Sequence, residues 1–210
     1  MTIIAALPPA LLWAASLAAS TIPSKGPICA IEARQEGASI RLVGVDGYRC
    51  FRCLLPASEV YFVPEEPLRL WPKAFSKAPT LKAVLVEIDD GGVASFKDKH
   101  GNVLSSTVWK ADPWALSEQA FPDIDQIWPK QSKLVNTPGA SMAMTAAYVG
   151  DFMKIAAKLG THAGVVRLNT TDNNVAPMVW TSLLDNGWLM NYEGEVWLEY
   201  LLSPVQVRQD

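Results

Sequence analysis

Trp71-Pro72-Lys73-Ala74-Phe75-Ser76-Lys77 is followed by Thr80, Ala83-Val84-Leu85-Val86, Asp90 and Val93; Phe152-Met153-Lys154-Ile155-Ala156-Ala157-Lys158 is followed by Thr161, Gly164-Val165-Val166-Arg167, Asp172 and Val175. Both stretches read as a helix with two lysines four residues apart, then a turn, a strand and a hairpin. Recurrence of one element order is the mark of a duplicated supersecondary unit, here βαβββ. Residues 2–55 have the same order of elements with little residue identity. The expectation is therefore an α+β protein built from repeated βαβββ units, three in all.

Working outward, Thr2–Leu7 reads as a strand, and Pro8-Pro9 suits a helix start, where a missing N–H costs nothing. Ala10–Ser20 is then an Ala/Leu helix. Ile28–Ala33, Ser39–Val45 and Cys50–Leu55 are strand-like, the last two separated by Asp46-Gly47, a hairpin-turn pair. Leu68–Trp71 is short and extended, and Pro72–Ala78 a brief helix closed by Pro79. Ala83–Ile88, Val93–Lys97 and Val103–Trp109 form a meander with Gly-rich turns. Residues 111–140 hold Pro113, Pro122, Pro129 and Pro138 with little periodicity, as a linker does. Ser141–Thr145 reads as a strand, and Ala146–Leu159 as a helix ended by Gly160. Val165–Leu168, Pro177–Leu183, Trp188–Tyr192 and Trp197–Val207 are further strands. The domains expected are residues 1–110 (two units), a Pro-rich linker 111–140, and a half-domain 141–210 (one unit).

Composition bounds the function. With 50% hydrophobic and 19% charged residues, the 210-residue chain can bury a real core. A net charge of −3 gives no general pull on polyanions, so a nucleic-acid face has to be a local patch. Three cysteines, Cys29, Cys50 and Cys53, are too few for a secreted disulfide scaffold. Residues 3–19 are apolar but have no Lys or Arg before them, are broken by Pro8-Pro9 and are too short to span a bilayer. A cytoplasmic protein without membrane attachment is expected.

Catalytic motifs are missing from the sequence. Only His100 and His162 are present, and no nucleophile elbow, zinc-helix, P-loop or dinucleotide fingerprint occurs. Asp123 and Asp125 read as solvated loop carboxylates. Cys50-Phe51-Arg52-Cys53 has metal-site spacing but no second ligand pair, and on a strand positions 50 and 53 point to opposite faces. No cofactor, metal or enzymatic activity is expected. Lys73, Lys77, Lys154 and Lys158 are the candidate DNA contacts, because like charges recurring at equivalent places of a repeat suit a shared phosphate-facing surface. A solvated helix face explains either pair alone equally well.

Three further pieces carry a family resemblance. Val45-Asp46-Gly47-Tyr48-Arg49-Cys50 resembles the T-D-G-H-R-L strand end of the bacterial DNA sliding clamp, the β subunit of DNA polymerase III. Phe121-Pro122-Asp123-Ile124-Asp125-Gln126-Ile127-Trp128-Pro129 is similar to that family's F-P-D-Y-x-x-x-x-P linker, and Glu199–Val207 to its terminal A-Y-V-V-M-P-M-R-L strand. The resemblance implies a shortened, phage- or plasmid-like clamp of about one and a half clamp domains. Residues 1–130 would match the middle domain and 140–208 the second half of the last. It also implies helices facing double-stranded DNA, sheets outside, and a pocket taking a short hydrophobic peptide of a DNA polymerase or clamp loader. Carried over by position, that pocket comprises Asp46, Gly47, Tyr48, Arg49, Cys50, Pro129, Leu202, Ser203, Pro204 and Val205. Two departures stand out: Ser203 and Gln206 occupy places where the family has Met and Arg, and residues 10–20 carry no Lys or Arg.

Two functions are weighed on this basis. One is a processivity factor that binds DNA without sequence preference and docks polymerase peptides. The other keeps the fold without the DNA, as an interaction module or decoy. An odd number of units leaves one half-domain unpaired, so a homo-oligomer is expected.

Overall fold

The structure is a computed structural model that describes residues 1–77, 82–110, 120–128, 146–161, 167–169, 178–190, 192 and 194–202. The strand expected over 141–145, and Pro129, Ser203, Pro204 and Val205, lie outside the described residues. The elements are β1 (Ile3–Leu7), α1 (Pro9–Ala18), β2 (Ile31–Glu36), β3 (Ser39–Val45), β4 (Arg49–Pro56), β5 (Leu68–Leu70), β6 (Leu85–Asp89), β7 (Val93–Lys97), β8 (Val103–Val108), α2 (Ala146–Leu159), β9 (Arg167–Asn169), β10 (Met178–Leu183) and β11 (Trp197–Leu202).

Two sheets organise them. One is four-stranded, in the order β1-β6-β7-β8; the other is seven-stranded, in the order β5-β2-β3-β4-β11-β10-β9. The first strand of each of the first two units is exchanged: β1 pairs with β6 of the second unit, and β5 with β2 of the first. These two units therefore fold together as one body around a shared core. The third unit contributes α2 and β9–β11, and it joins edge to edge through an antiparallel β4–β11 pair, with Tyr200 opposite Phe51 and Glu199 opposite Arg52. In both units that last strand is the one making the join.

The repeat reading has one correction. The helix expected over Pro72–Ala78 is only a 3-10 turn, Pro72–Phe75. Pro72 sits in its first turn, where proline suits a helix, but four residues close too few hydrogen bonds for an α-helix. Lys73 and Lys77 are consequently not one turn apart on a helix face, whereas Lys154 and Lys158 are, on α2. Among the described residues the strand expected over Trp188–Tyr192 is likewise absent. Asn186–Trp188 forms a 3-10 turn instead, capped by the Asp185 carboxylate, which accepts from the Gly187 N–H at 2.8 Å. Local Asx chemistry outcompetes the apolar run there.

α1 explains how the helical layer packs. It is apolar all round, and every residue from Pro9 to Ala18 except Leu17 is buried, as a helix enclosed on all sides requires. Small residues let it approach the large sheet closely. A Cβ placed on Gly44 of β3 would come within 2.0 Å of the Ala15 carbonyl oxygen. α1 also meets the Pro72–Phe75 turn on one side and α2 on the other. α2 buries a single stripe, Phe152, Ile155, Ala156 and Leu159, leaving Met153, Lys154 and Lys158 to solvent.

The seven-stranded sheet is covered on both faces. Its helical face sends Ile31, Ile40, Leu42, Phe51, Leu198, Tyr200 and Leu202 into the main core with α1 and Phe152. Its other face sends Val43, Val45, Cys50, Val179 and Leu201 into a smaller cluster closed by Ile124 and Trp128. Those two residues belong to the segment 120–128, the described part of the expected linker, which is pressed onto this outer face. No helix among the described residues is long and apolar enough to cross a membrane.

Candidate functional site

The β3–β4 turn is the best-defined polar site, and its sequence dictates its shape. Gly47 has φ 97°, a left-handed value open to glycine at little cost. The Asp46 N–H donates to the Arg49 carbonyl at 3.2 Å, closing a two-residue hairpin loop. The Asp46 carboxylate turns back to accept from the N–H groups of Tyr48 (3.0 Å) and Arg49 (3.1 Å), and from Arg49 Nε at 2.9 Å. A buried carboxylate thus has its charge met by three donors, as burial demands.

Arg49 ties this turn to α2. Its guanidinium pairs with Asp151 and lies 3.4 Å from the Tyr200 hydroxyl, with the Tyr148 ring 4.5 Å from Arg49 Cζ. Burial disfavours the charged guanidinium, but Tyr200, Asp151 and Asp46 outweigh it and hold the group protonated beyond its ordinary range. Asp151 is pushed up by burial, and the hydrogen bonds from Arg49 and Lys154 more than reverse this, leaving its carboxyl below the usual aspartate value. Tyr48, 59% exposed, stacks with Tyr148 at 6.4 Å between centroids and 21° between planes. Lys25 caps the pair, its Nζ 5.4 Å from the Tyr48 centroid and donating to the Asp46 carbonyl at 3.1 Å.

The remaining pocket candidates divide between the two faces of the sheet. Asp46, Tyr48 and Arg49 come together at the turn, and Leu202, opposite Arg49, points into the helical-face core. Cys50 points the other way, under Ile124 and Trp128. Sequence reasoning missed Lys25, Tyr148, Asp151 and Tyr200. Tyr148 and Asp151 are three apart in the first turns of α2 and so share a face, but nothing in the sequence says that this face meets residue 49.

On the outer face Arg52 donates to Glu199 at 2.7 Å, directly across the β4–β11 join, and its guanidinium lies 3.9 Å from the Trp128 centroid. Asp125 accepts from Arg41 at 2.7 Å and lies 3.5 Å from Arg52. Cys50 and Cys53, on opposite faces, cannot share one metal ion. Burial pushes the Cys50 thiol up to about 12 and the Cys53 thiol further still.

Of the four candidate DNA contacts, Lys73 and Lys77 are exposed beside the Pro72–Phe75 turn, with Lys73 Nζ 5.6 Å from the Trp71 centroid. Lys154 pairs with Asp151 at 3.0 Å, and Lys158 Nζ lies 5.6 Å from the Trp188 centroid. All four belong to the layer formed by that turn, α1 and α2.

Exchanged first strands, buried helices on one side and last strands joined edge to edge make a specific architecture, and solved structures share it. The β subunit from the DNA polymerase of Streptococcus pyogenes superposes with a TM-score of 0.60 at 14% identity, over 99% of this chain and 66% of that one. The fold is that of the bacterial sliding clamp. The DNA polymerase sliding clamp from Bacillus subtilis also gives a TM-score of 0.60, at 16% identity and the same coverage. A Pseudomonas aeruginosa clamp bound to griselimycin gives 0.57 at 12% identity, over 96% of this chain and 65% of that one. The chain thus spans about two thirds of the length of the clamps it matches. No protein-family model and no curated protein matches the sequence. In clamp terms, the β4–β11 join and the Arg49 junction both connect the paired units to the third.

Proposed function

We propose that this chain is a clamp-like processivity factor, a binding protein rather than an enzyme. In this reading it holds double-stranded DNA against its helical layer without sequence preference and docks a short hydrophobic peptide of a DNA polymerase or clamp loader. Residues 1–110 form its clamp-like domain, 111–140 the connector and 141–210 a half-domain. The observation that carries the reading is the clamp fold over 99% of the chain, with α2 offering Lys154 and Lys158 on its free side. Peptide docking falls to the turn of Asp46, Gly47, Tyr48 and Arg49, where exposed Tyr48, stacked on half-buried Tyr148 and flanked by Lys25 and Arg49, offers both apolar area and charge. Cys50 and Leu202, buried on opposite faces of the sheet, do not line this surface, and Pro129, Ser203, Pro204 and Val205 belong to the proposed pocket by the sequence resemblance alone. Work in the cytoplasm follows from a role at DNA.

The test is binding of a labelled duplex by the purified chain, compared with K73E/K77E/K154E/K158E. Loss of DNA retention with an unchanged melting temperature supports the reading; unchanged DNA binding sinks it.

A second reading drops the DNA: a module that occupies clamp-binding peptides. Two observations favour it. α1 has no cationic side chain and is enclosed on all sides, and Lys154 is already paired with Asp151. Titrating a polymerase-derived peptide and duplex DNA separately discriminates, since peptide binding alone selects the module.

A further inference from the structure

The two exposed lysines of α2 stand in unlike settings. Lys158 Nζ lies 5.6 Å from the Trp188 centroid and meets no carboxylate at ion-pair distance among the described residues. Lys154 Nζ lies 3.0 Å from Asp151 Oδ1, one turn earlier, although the lysine side chain is 68% exposed. An exposed pair is ordinarily loose, because both side chains turn freely in water. Here one of the two is fixed.

Asp151 is held from behind. Its side chain is only 20% exposed, and its second oxygen, Oδ2, accepts from Arg49. Arg49 is fixed in turn by Asp46 at 2.9 Å, by the Tyr200 hydroxyl at 3.4 Å and by the Tyr148 ring. The carboxylate therefore cannot follow the ammonium when Lys154 swings outward. Two cations divide one anion, Arg49 taking the inner oxygen and Lys154 the outer. Asp46 and Asp151 between them balance Arg49 and Lys154, so the lysine already has its counter-charge. With its carboxyl held below the usual aspartate value, Asp151 is an anion throughout the neutral range.

We infer that Asp151 is a latch on Lys154: a fixed intramolecular stand-in for phosphate, which a duplex backbone has to displace before this lysine can contact it. The inference rests on the proposed DNA-binding reading and specifies how that surface is tuned. Part of the attraction between Lys154 and phosphate is cancelled by the pair that has to break. The counter-charge of Lys154 also stays with the protein, so its contact releases no salt ion, whereas that of an unpaired lysine does. Lys154 therefore adds little to affinity or to its salt dependence, and Lys158 supplies most of what α2 offers to a duplex. The pairing weakens the hold on DNA without abolishing it.

The experiment compares binding of a labelled duplex by the full chain and by Asp151→Asn, alone and combined with Lys154→Met or Lys158→Met, from about 50 to about 200 mM salt. D151N should bind about threefold more tightly than wild type at the lowest salt, the scale an exposed ion pair supplies. Its plot of log K against log salt should be steeper by about 0.9, one further counterion, so the advantage disappears by about 200 mM. Measured against K154M, the gain should vanish in D151N/K154M; measured against K158M, it should persist in D151N/K158M. A purely structural aspartate gives no such pattern, because D151N removes an ion pair from the junction and should bind more tightly while being less stable. Wild-type affinity and slope in D151N overturn the inference. So does a gain that survives in D151N/K154M, which would report only the loss of a negative charge near the duplex. Failure of both wild type and D151N to hold any duplex takes down the clamp reading and the latch together, whereas an unchanged D151N beside a wild type that binds rejects the latch alone.

Discussion

Single residues carry the junction between the paired units and the third. Arg49 reaches Asp46 in its own turn and Asp151 on α2, so one side chain couples two segments 102 positions apart. Replacing Asp151 by Asn leaves the guanidinium with one carboxylate fewer. Because water reaches Asp151, the loss is modest, about 1–2 kcal/mol, read as a lower midpoint in urea. The pH dependence has a definite sign. The Asp151 carboxyl is depressed in the folded protein, so its contribution is fully present above the unfolded value of about 3.9 and disappears as pH falls through the lower folded value. Wild type and D151N should therefore differ at neutral pH and converge in acid. A difference that grows on acidification would refute the pairing. Cysteine behaviour is equally local: Cys50 and Cys53 are buried, with thiols pushed far from the reactive range.

At the level of elements, two contacts decide the packing, and each yields a test. α1 rests on β3 where Gly44 leaves no room for a methyl group. Gly44→Ala must push the helix off the sheet or distort the strand, at about 2–3 kcal/mol or more; a thermal melt within one degree or so of wild type would mean the helix sits elsewhere. On the opposite face Trp128, 9% exposed, covers Cys50 and stacks on Arg52. Trp128→Ala should cost about 3 kcal/mol and open that face. A thiol reagent that labels neither Cys50 nor Cys53 in the native wild type should then reach Cys50 and still spare Cys53. Equal labelling of both would show that the variant unfolds instead of losing its cover.

At the scale of the whole molecule, cationic side chains on the helical layer are few, and α1 supplies none. If the four lysines are the phosphate contacts, no more than about four counterions are released, so log K should fall with log salt at a slope of about −3.6 or shallower. A steeper slope would require contacts beyond those lysines, and salt-independent retention would argue for topological linkage or another surface.

The elements were largely legible in the sequence because their causes are local. Gly-bounded apolar runs put Ser39–Val45 and Val93–Lys97 on their observed bounds, Gly160 marked the end of the helix Ala146–Leu159, and Asp46-Gly47 announced the turn. The element order likewise exposed the repeat. Where local chemistry competed, at Pro72–Phe75 and Asn186–Trp188, pattern alone misassigned the backbone. Only the tertiary structure decided that β1 and β5 are exchanged between units, that Tyr148 and Asp151 meet Arg49, and that Leu202 and Cys50 face opposite sides. Strand exchange and edge joining are choices among partners far apart in the chain, and they are settled by which buried faces complement each other, a quantity that no window of sequence contains.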